Sequence, residues 1–361
     1  MSLALAALGI DLILPAFAAM RVDFGLDPES TAVAGTISAY FLGLALAQIV
    51  YGPMADRFGR KPILFVGYGI YLLGAAASAL APSLDLLLAA RFVWGLGAAG
   101  PRVVTLAVVR DRFEGEEMSR AMSFIMAVFI LVPVVAPSLG AVVVDAGSWR
   151  WAFGVCAVLV VAMALWARRL VESLDPANQM ELRFGRIWEA ARVVFSNRMT
   201  MGYTMALTAL FGVFISYLAS SEIIFGRVFG AAEAFPLLFG GMAAVMGAAM
   251  LGNAFVVRRF GTRRLSHLVM IVYLGGAVAF LATAILTGGR PPLVVFLGLM
   301  VVLLGSHALL IPNLDTMDPW APSPEQPPPS SGPYPPPVAP SWGRCWIGRS
   351  TARSCHLPGG S

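Results

Sequence analysis

Ten long apolar stretches, separated by short turns, run from the first residue of the chain to about residue 313. Their approximate bounds are 1–20, 33–54, 62–81, 86–109, 121–144, 150–170, 199–219, 235–257, 266–287 and 291–313. About 20 mostly apolar residues are enough for a helix to cross the hydrocarbon core of a bilayer. Because lipid cannot satisfy backbone polar groups, such segments span as helices. The pattern therefore predicts an all-α polytopic membrane protein.

The composition supports the same class. Of 361 residues, 58% are hydrophobic and 12% are charged, and the mean hydropathy is +0.78. Soluble domains carry about 25% charged residues, so this chain has too little polar surface for a water-facing globule. The net charge of +5 comes from arginine, since Lys61 is the only lysine. Orientation in the bilayer explains this charge better than nucleic acid does, and no nucleic-acid partner is expected.

Positive side chains are distributed unequally among the loops. The loops after spans two, four, six and eight carry sixteen, at positions 57, 60, 61, 110, 112, 120, 168, 169, 183, 186, 192, 198, 258, 259, 263 and 264. The alternate loops carry only Arg21, Arg150, Arg227 and Arg290. Positive residues concentrate in cytoplasmic loops. The even-numbered loops are therefore predicted to face the cytoplasm.

The first apolar run could be mistaken for a signal peptide. It has no basic residue ahead of its apolar part and contains Asp11, so we interpret residues 1–20 as a first span. Because the apolar run starts at residue 1, we expect that a short cytoplasmic lead is absent.

The longest loop divides the chain into parts. Residues 171–198 are charged and partly amphipathic and are predicted to form a cytoplasmic linker. Residues 1–170 would then form an N-terminal six-helix bundle, and residues 199–317 a partial C-terminal bundle of four helices. The sequence "NAFVVRRFGTRRL" after span eight is similar to "YGPMADRFGRKP" after span two. Similar loops at equivalent places indicate an internal repeat.

The composition changes at residue 318. Residues 318–361 are rich in proline and serine and cannot span a bilayer as written. One interpretation is a disordered proline-rich tail. The other, which we favour, is a change of reading frame. Codons for Pro319, Trp320 and Ala321 read from the third base give Met, Leu or Val followed by Gly, and the shifted text continues with small and aliphatic residues.

The turn "YGPMADRFGRKP", residues 51–62, places four charged side chains between two apolar runs. We expect Gly52 and Pro53 to end span two, Asp56 to act as a cap, and Arg60 and Lys61 to begin span three. A basic turn can serve simply to fix topology. The spacing G-x-x-x-D-R-x-G-R-K nevertheless resembles the signature loop between the second and third helices of the major facilitator superfamily. The matching residues are Gly52, Asp56, Arg57, Gly59, Arg60 and Lys61.

Other segments resemble the Bcr/CflA drug-resistance subfamily of that superfamily. "LLLAARFVWGLGAAGPRVVTLAVVRD" resembles the fourth-helix motif and places Arg91 at its arginine. "LVPVVAPSLGAVV", with Pro133, Pro137 and Gly140, resembles the antiporter motif of the fifth helix. "IDLILPAF", with Asp11, resembles the first helix of drug exporters. "RDRFEGEEMSRAMS", "ISYLASSEIIF" and "IPNLDTM" point to the same subfamily, and the resemblance covers residues 1 to about 318.

The resemblance implies the major facilitator fold, with two pseudo-repeated helix bundles and twelve membrane helices, of which about ten are present here. It implies that the 51–62 turn latches cytoplasmic helix ends, with Asp56 engaging the N-terminal end of an eleventh helix. It also implies a monomeric, proton-coupled multidrug exporter of the bacterial inner membrane, whose partners are protons, a small amphipathic drug and the lipid bilayer. The alternatives are a metabolite exporter of the same fold, or an inactive remnant that lacks the eleventh and twelfth helices.

Four charged residues are candidates for proton coupling or substrate binding. A carboxylate in mid-membrane costs roughly 2.5–3.5 kcal/mol, so Asp11 should face a cavity, unless it reaches water at the helix end. Arg91 and Arg102 lie eleven residues apart, which places both on nearly the same helix face and along one path. Glu222 follows "YLASS" and is either a site residue or simply the outer end of span seven.

Motifs of other function classes are missing from the sequence. It contains no G-x-x-x-x-G-K-[ST] phosphate loop, no H-E-x-x-H and no C-x-x-C. Cys156, Cys345 and Cys355 show no spacing typical of metal ligands or of a disulfide framework. We therefore expect no enzyme activity, no cofactor and no metal, which leaves an ion gradient as the energy source.

Overall fold

Every long apolar run of the sequence forms a helix. The structure, a computed structural model, describes residues 2–113, 115–174, 179, 192, 196 and 198–315. Within these ranges it contains helices and turns without any strand, and ten helical segments are long and apolar enough to cross a membrane. The predicted fold class and the ten predicted spans are confirmed.

The first span consists of three pieces: α1 (Ala4–Asp11), a 3₁₀ turn (Leu14–Ala16) and α2 (Phe17–Asp23). The sequence predicted one uninterrupted span over residues 1–20. Pro15 explains the break, because it has no N–H to donate to the carbonyl of Asp11, four residues earlier. The break leaves Asp11 as the last residue of α1.

The other helices follow the predicted spans. In the part that we call the first half (residues 2–174) they are α3 (Gly35–Phe58), α4 (Arg60–Leu80), α5 (Leu84–Arg112), α6 (Gly115–Asp145) and α7 (Arg150–Ala167). In the second half (residues 198–315) they are α8 (Arg198–Ile223), α9 (Phe235–Phe260), α10 (Thr262–Leu286) and α11 (Leu293–Asp315). A π-helical turn, Ile224–Val228, follows α8.

The predicted division into an N-terminal bundle (1–170), a linker (171–198) and a partial C-terminal bundle (199–317) stays a prediction. Most of the linker and all of the 318–361 tail lie outside the described residues.

The second span differs from the expectation at its end. We expected Gly52 and Pro53 to end it, and this was wrong, because α3 continues through both residues to Phe58. Proline is tolerated inside membrane helices where neighbouring groups satisfy the freed carbonyl. The helix stops at Gly59, whose φ of +99° is a conformation that side-chain-bearing residues rarely adopt. Helix α4 then begins at Arg60, as predicted.

Small residues allow the helices of the first half to approach closely. α5 packs along both α3 and α4, α4 also contacts α7, and α1 contacts α6. At the crossing of α3 and α5, a Cβ atom added to Gly95 would collide with the carbonyl oxygen of Tyr40. Close backbone approach of this kind replaces the hydrophobic effect as the source of helix association in lipid. Around it lies a buried aromatic core that includes Tyr40, Tyr71, Trp94 and Phe153.

The second half packs differently. α11 contacts both α9 and α10, and α9 also packs against α6 of the first half. α8 contacts α3 and the 3₁₀ turn of the first span. The first span is therefore enclosed by helices from both halves, and it is the place where the isolated carboxyl of Asp11 is found.

Candidate functional site

Asp11 lies in the interior, at the interruption of the first span. Its exposed fraction is 5%, and no basic side chain among the described residues lies within ion-pair distance of it. On the same helix, the Tyr40 hydroxyl of α3 donates a hydrogen bond to the carbonyl oxygen of Ala6 at 2.9 Å. The Tyr217 hydroxyl is buried and has no hydrogen-bond partner in the described part of the chain. The turn that follows Asp11, Leu14–Ala16, contacts both α6 and α8, so Asp11 lies near the junction between the two halves and does not reach water at the helix end.

Arg91 is fully buried on α5 and ties three helices together. Its Nη1 donates a hydrogen bond to the carbonyl oxygen of Gly9 at 2.8 Å, and its Nε donates to that of Thr36 at 3.3 Å. The guanidinium carbon lies 4.6 Å from the ring centre of Tyr40 and 4.7 Å from that of Trp94. Cation–π contacts strengthen when they are shielded from water, as here. Arg91 therefore fixes the position of α1 just before Asp11.

Arg102 lies farther along α5 and is half-buried. Neither Arg102 nor Arg91 forms an ion pair with any of the described carboxylates. The single path that their spacing suggested for the two side chains stays a prediction.

Glu222 lies near the end of α8 and is paired. Both of its carboxylate oxygens accept hydrogen bonds from Nη2 of Arg21, at 2.7 and 2.6 Å. The exposed fractions of the two side chains are 3% for Arg21 and 12% for Glu222. Arg21 belongs to the last turn of α2, and the sequence counted it only as a loop arginine. Two residues that lie 201 positions apart give no local sign that they will meet.

The antiporter-type helix α6 passes directly beside the Asp11 segment. Pro133 and Pro137 lie inside α6, and Gly140 is buried. A Cβ atom at Gly140 would collide with the carbonyl oxygen of Leu12, the residue after Asp11. Glycine is required here by the close approach of two backbones. Farther along, α6 faces α9, so it contacts both halves.

Arg60 is the centre of a charged cluster, which we call the Arg60 cluster. It lies at the end of the first half opposite to the end that carries Arg21. Its Nη1 pairs with Asp56 on the preceding turn, and its Nε donates to Oδ2 of Asp111 at 2.9 Å. The Ser173 hydroxyl donates to the same Asp111 oxygen at 3.0 Å. Arg60 is 8% exposed, so the two carboxylates neutralise a largely buried cation. The cluster joins the start of α4, the end of α5 and the segment after α7.

Glu172 covers the first backbone N–H groups of α4. Its carboxylate accepts from the backbone N–H of Arg60 at 2.9 Å and of Lys61 at 3.0 Å. Its partial burial would raise the pKa, but four backbone N–H donors, including those of Ser173 and Leu174, outweigh this effect and lower the pKa of Glu172 below its ordinary value. A carboxylate at a helix N-terminus also complements the helix dipole. Glu172 therefore acts as an N-terminal cap supplied from outside the helix.

The remaining residues of the 51–62 turn have lesser contacts. Gly52 lies within α3, and the exposed Arg57 lies over the ring of Phe58, 5.6 Å from its centre. Lys61 Nζ donates to the carbonyl oxygen of Arg168 at 2.9 Å. The expected contact between Asp56 and an eleventh membrane-spanning helix stays a prediction, because α11 is the tenth span and the described residues contain no eleventh span. Asp56 is not a cap, since it pairs with Arg60 in the last turn of α3.

The sequence alone did not indicate Asp111 or Glu172. Asp111 stands between two loop arginines, and Glu172 opens the predicted linker, so each looked like an ordinary solvated charge. Within the described ranges, no group of three or more His, Cys, Asp or Glu side chains could hold a metal ion.

A family model described as the Major Facilitator Superfamily matches residues 1–317. The chain belongs to the major facilitator superfamily. The predicted resemblance is confirmed, and the chain is a multi-pass membrane transporter and not an enzyme. Several relatives that it matches are drug-resistance proteins of this superfamily.

Curated relatives share about a quarter to a third of the aligned residues. A bicyclomycin resistance protein homolog of Haemophilus influenzae is 28% identical over 289 residues, which is 80% of this chain and 72% of the relative. The chloramphenicol resistance protein CraA of Acinetobacter baumannii is 30% identical over 220 residues, 60% of this chain and 52% of CraA. The multidrug resistance protein MdtL of Shigella flexneri is 26% identical over 225 residues, 62% of this chain and 56% of MdtL.

Solved structures of the superfamily show the same fold. A D-xylose–proton symporter superposes with a TM-score of 0.64 at 15% identity, over 85% of this chain and 78% of the symporter. A bacterial homolog of the human lysosomal transporter Spinster, in an inward-facing state, gives a TM-score of 0.64 at 17% identity, over 87% of this chain and 72% of its own. These similarities establish the fold and leave the substrate open.

Proposed function

We propose that this transporter is a proton-coupled drug exporter, which exchanges a small amphipathic drug for protons across the bacterial inner membrane. The observation that supports this most directly is the environment of Asp11. A carboxyl inside a membrane protein is costly and is retained where it serves transport. Here it has no basic partner among the described residues and lies near the junction of the two halves. Relatives named for resistance to bicyclomycin and chloramphenicol support a drug as the substrate.

The exchange would take place at the Asp11 carboxyl. When it is protonated, the buried group carries no charge and can stay in the interior without a counterion. When it is ionised, it needs a positive charge, water or a hydrogen-bond donor, since an isolated buried charge is strongly unfavourable. The unpartnered hydroxyl of Tyr217, or a cationic or hydrogen-bond-donating group of a drug, can meet this need. Competition between a proton and a drug for one carboxyl is the simplest form of antiport.

Arg91 and α6 would position this carboxyl. The Arg91 guanidinium holds the carbonyl of Gly9, and Gly140 of α6 packs against Leu12 on the other side of Asp11. Both contacts act on the backbone of the first span. They restrict where Asp11 can move when the two halves rearrange.

We place the 51–62 turn and the Arg60 cluster on the cytoplasmic side. The loops between the ten helices carry twenty positive residues, and sixteen of them belong to the same set of loops as the 51–62 turn. This excess supports a cytoplasmic location for that set. The end of the molecule that carries Arg21 and Glu222 then faces outward. We expect the transporter to act as a monomer, as the resemblance implies.

The test is proton-driven transport by the full 361-residue chain in proteoliposomes with an imposed pH gradient, using chloramphenicol as the probe. We expect uptake by the parent chain into proteoliposomes with an acidic interior, and its loss in Asp11→Asn. The exposed Asp85→Asn, at the start of α5, is the matched control and should transport like the parent. Full transport by Asp11→Asn would contradict the proposed role of this carboxyl.

The same assay addresses the alternatives. Proton flux driven by a metabolite mixture, without any drug response, would favour a metabolite exporter. A correctly folded chain that moves neither drugs nor protons would favour an inactive remnant.

A further inference from the structure

The pair Arg21–Glu222 joins the two halves of the molecule at one end. Arg21 ends the first span and Glu222 ends α8, and the separation of Nη2 from the two carboxylate oxygens is 2.7 and 2.6 Å. Both side chains are largely buried, with exposed fractions of 3% and 12%. Hydrogen bonds between a guanidinium and a carboxylate are among the strongest in proteins. Removal of one member would leave the other charge buried and unpaired.

Each member of the pair is attached to its own half. Next to Arg21, Asp23 accepts hydrogen bonds from Trp149 Nε1 at 3.2 Å and from Arg150 Nη1 at 2.6 Å, which fixes the end of α2 to the start of α7. The guanidinium of Arg150 also lies over the Trp149 ring, 4.2 Å from its centre. Arg21 therefore moves with the first half.

Glu222 is attached to the second half in a comparable way. It precedes the π-helical turn Ile224–Val228, a type of local irregularity that is frequent at functional sites. Phe225 in this turn is fully buried and contacts the rings of Phe235 on α9 and Phe296 on α11. Glu222 therefore moves with α9 and α11, and a separation of the halves at this end must separate it from Arg21.

The two ends of the molecule differ in this respect. Within residues 2–113, 115–174 and 198–315, the other ion pairs are Arg60–Asp56, Arg60–Asp111 and Arg150–Asp23, and all of them lie inside the first half. The Arg60 cluster lies one membrane crossing away from Arg21, because α3 runs from the loop after α2 to the 51–62 turn. The ion pair between halves is thus confined to the end that carries Arg21.

We propose that Arg21 and Glu222 form a latch that holds the two halves together at this end and that opens whenever the transporter opens to that side. The pair assigns Glu222 a conformational role in place of substrate or proton binding. The role of the latch in transport rests on the proposed function, whereas the latch itself is a property of the folded chain. Breaking the pair shifts the population toward the state in which this end is open.

A distance measurement tests the latch independently of transport. In the full-length chain with its three cysteines replaced, spin labels are placed at Val22→Cys and Leu237→Cys, two side chains that are 82% and 78% exposed. The parent should give a predominantly short distance. Glu222→Gln should raise the longer-distance population about fivefold or more, the size of an ordinary coupling between states. The double variant Arg21→Glu/Glu222→Arg should restore the parent distribution.

Asp85→Asn is the matched control, because it removes a carboxylate at the same end of the first half that forms no ion pair with the described residues. It should leave the distance distribution unchanged. An unchanged distribution in Glu222→Gln, or a double variant that resembles the single variant, would overturn the latch. Absence of transport by the parent would instead overturn the proposed function, without bearing on the measured distances.

Discussion

Helices α4 and α10 start in the same way and end up in different surroundings. Each follows an Arg-Phe-Gly sequence whose glycine has a positive φ, +99° at Gly59 and +74° at Gly261. In each, the arginine lies over the ring of the next phenylalanine, at 5.6 Å in the first half and 5.7 Å in the second. However, 44% of the residues in the most apolar stretch of α4 are buried, compared with 6% of those in the corresponding stretch of α10.

The neighbours of the two turns account for the difference. In the first half, Asp111 from α5 and Glu172 from the segment after α7 reach the start of α4. At the start of α10, a Cβ atom added to Gly261 would meet no atom within 4 Å. The residue equivalent to Asp56 is Arg258, so the second turn lacks the carboxylate that would begin such a cluster. The turn is specified locally, whereas the charge cluster depends on helix ends that lie far away in sequence.

The largest expected effect is a loss of stability when the charge of Arg60, at the first of the two turns, is removed. Arg60→Gln leaves Asp56 and Asp111 beside each other without a cation. Since the carboxylates are partly exposed, we expect a loss of about 2–3 kcal/mol in the free energy of unfolding, somewhat below the value for fully buried pairs. Thermal unfolding in detergent, followed by tryptophan fluorescence, measures it.

The matched variant in the second half is Arg263→Gln, at the position equivalent to Lys61 on the exposed side of α10. It should change the stability by less than about 0.5 kcal/mol. Equal losses in the two variants would show that the Arg60 cluster adds nothing to the fold.

The glycines of the two turns provide a second comparison. Gly59→Ala and Gly261→Ala both place a side chain at a positive φ, which costs about 1–3 kcal/mol. At Gly59 the new methyl group would also lie 2.7 Å from Oε2 of Glu172, so this variant should be the less stable of the two. The midpoints of chemical unfolding rank them. A larger loss at Gly261 would mean that the second turn is more constrained than its open surroundings indicate.

Tyr71 and Tyr273 occupy equivalent positions, twelve residues after the two glycines. The Tyr71 hydroxyl is buried and donates to the carbonyl oxygen of Leu5 at 2.9 Å. The Tyr273 hydroxyl makes no hydrogen bond to the described residues, and its ring lies 6.4 Å from that of His307. We expect Tyr71→Phe to cost about 1–1.5 kcal/mol and Tyr273→Phe less than half of that. Unfolding of the two variants under the same conditions checks it, and a reversed order would contradict it.

The smallest effect belongs to the cap on α4. Glu172→Gln weakens four hydrogen bonds to backbone N–H groups, and because the site is exposed and screened we expect a loss of about 0.5–1 kcal/mol at neutral pH. The pKa of Glu172 is lowered in the folded state, so its contribution is fully present above the ordinary value of 4.5 and is lost as the pH falls through the folded value. The difference between parent and variant should therefore shrink in acid. A difference that does not depend on pH would show that Glu172 acts through packing.

The spans could be predicted because apolar length is a local property of the sequence. Their details could not. Pro15 breaks the first span, whereas Pro53 leaves α3 intact, so the presence of a proline did not decide where a helix ends. Likewise, the carboxyl of Asp11 was found by its unusual place in an apolar run. The partner of Glu222 was not, since Arg21 looks like any loop arginine until the two halves pack.

The 51–62 turn shows the same division. Its motif singled out this loop, and within it Arg60 and Asp56 do pair. The contributions of Asp111 and Glu172 require the ends of α5 and α7 to arrive at the same place, which no spacing within the turn can reveal.

The cap at Glu172 also has a mechanical consequence for the segment after α7. Val171 accepts a hydrogen bond from Arg112, Glu172 holds the start of α4, and Lys61 holds Arg168. Ser173 adds a hydrogen bond to Asp111 at the end of α5. The segment is therefore clamped between α4 and α5, and a force applied at Leu174 would be divided between the ends of these two helices.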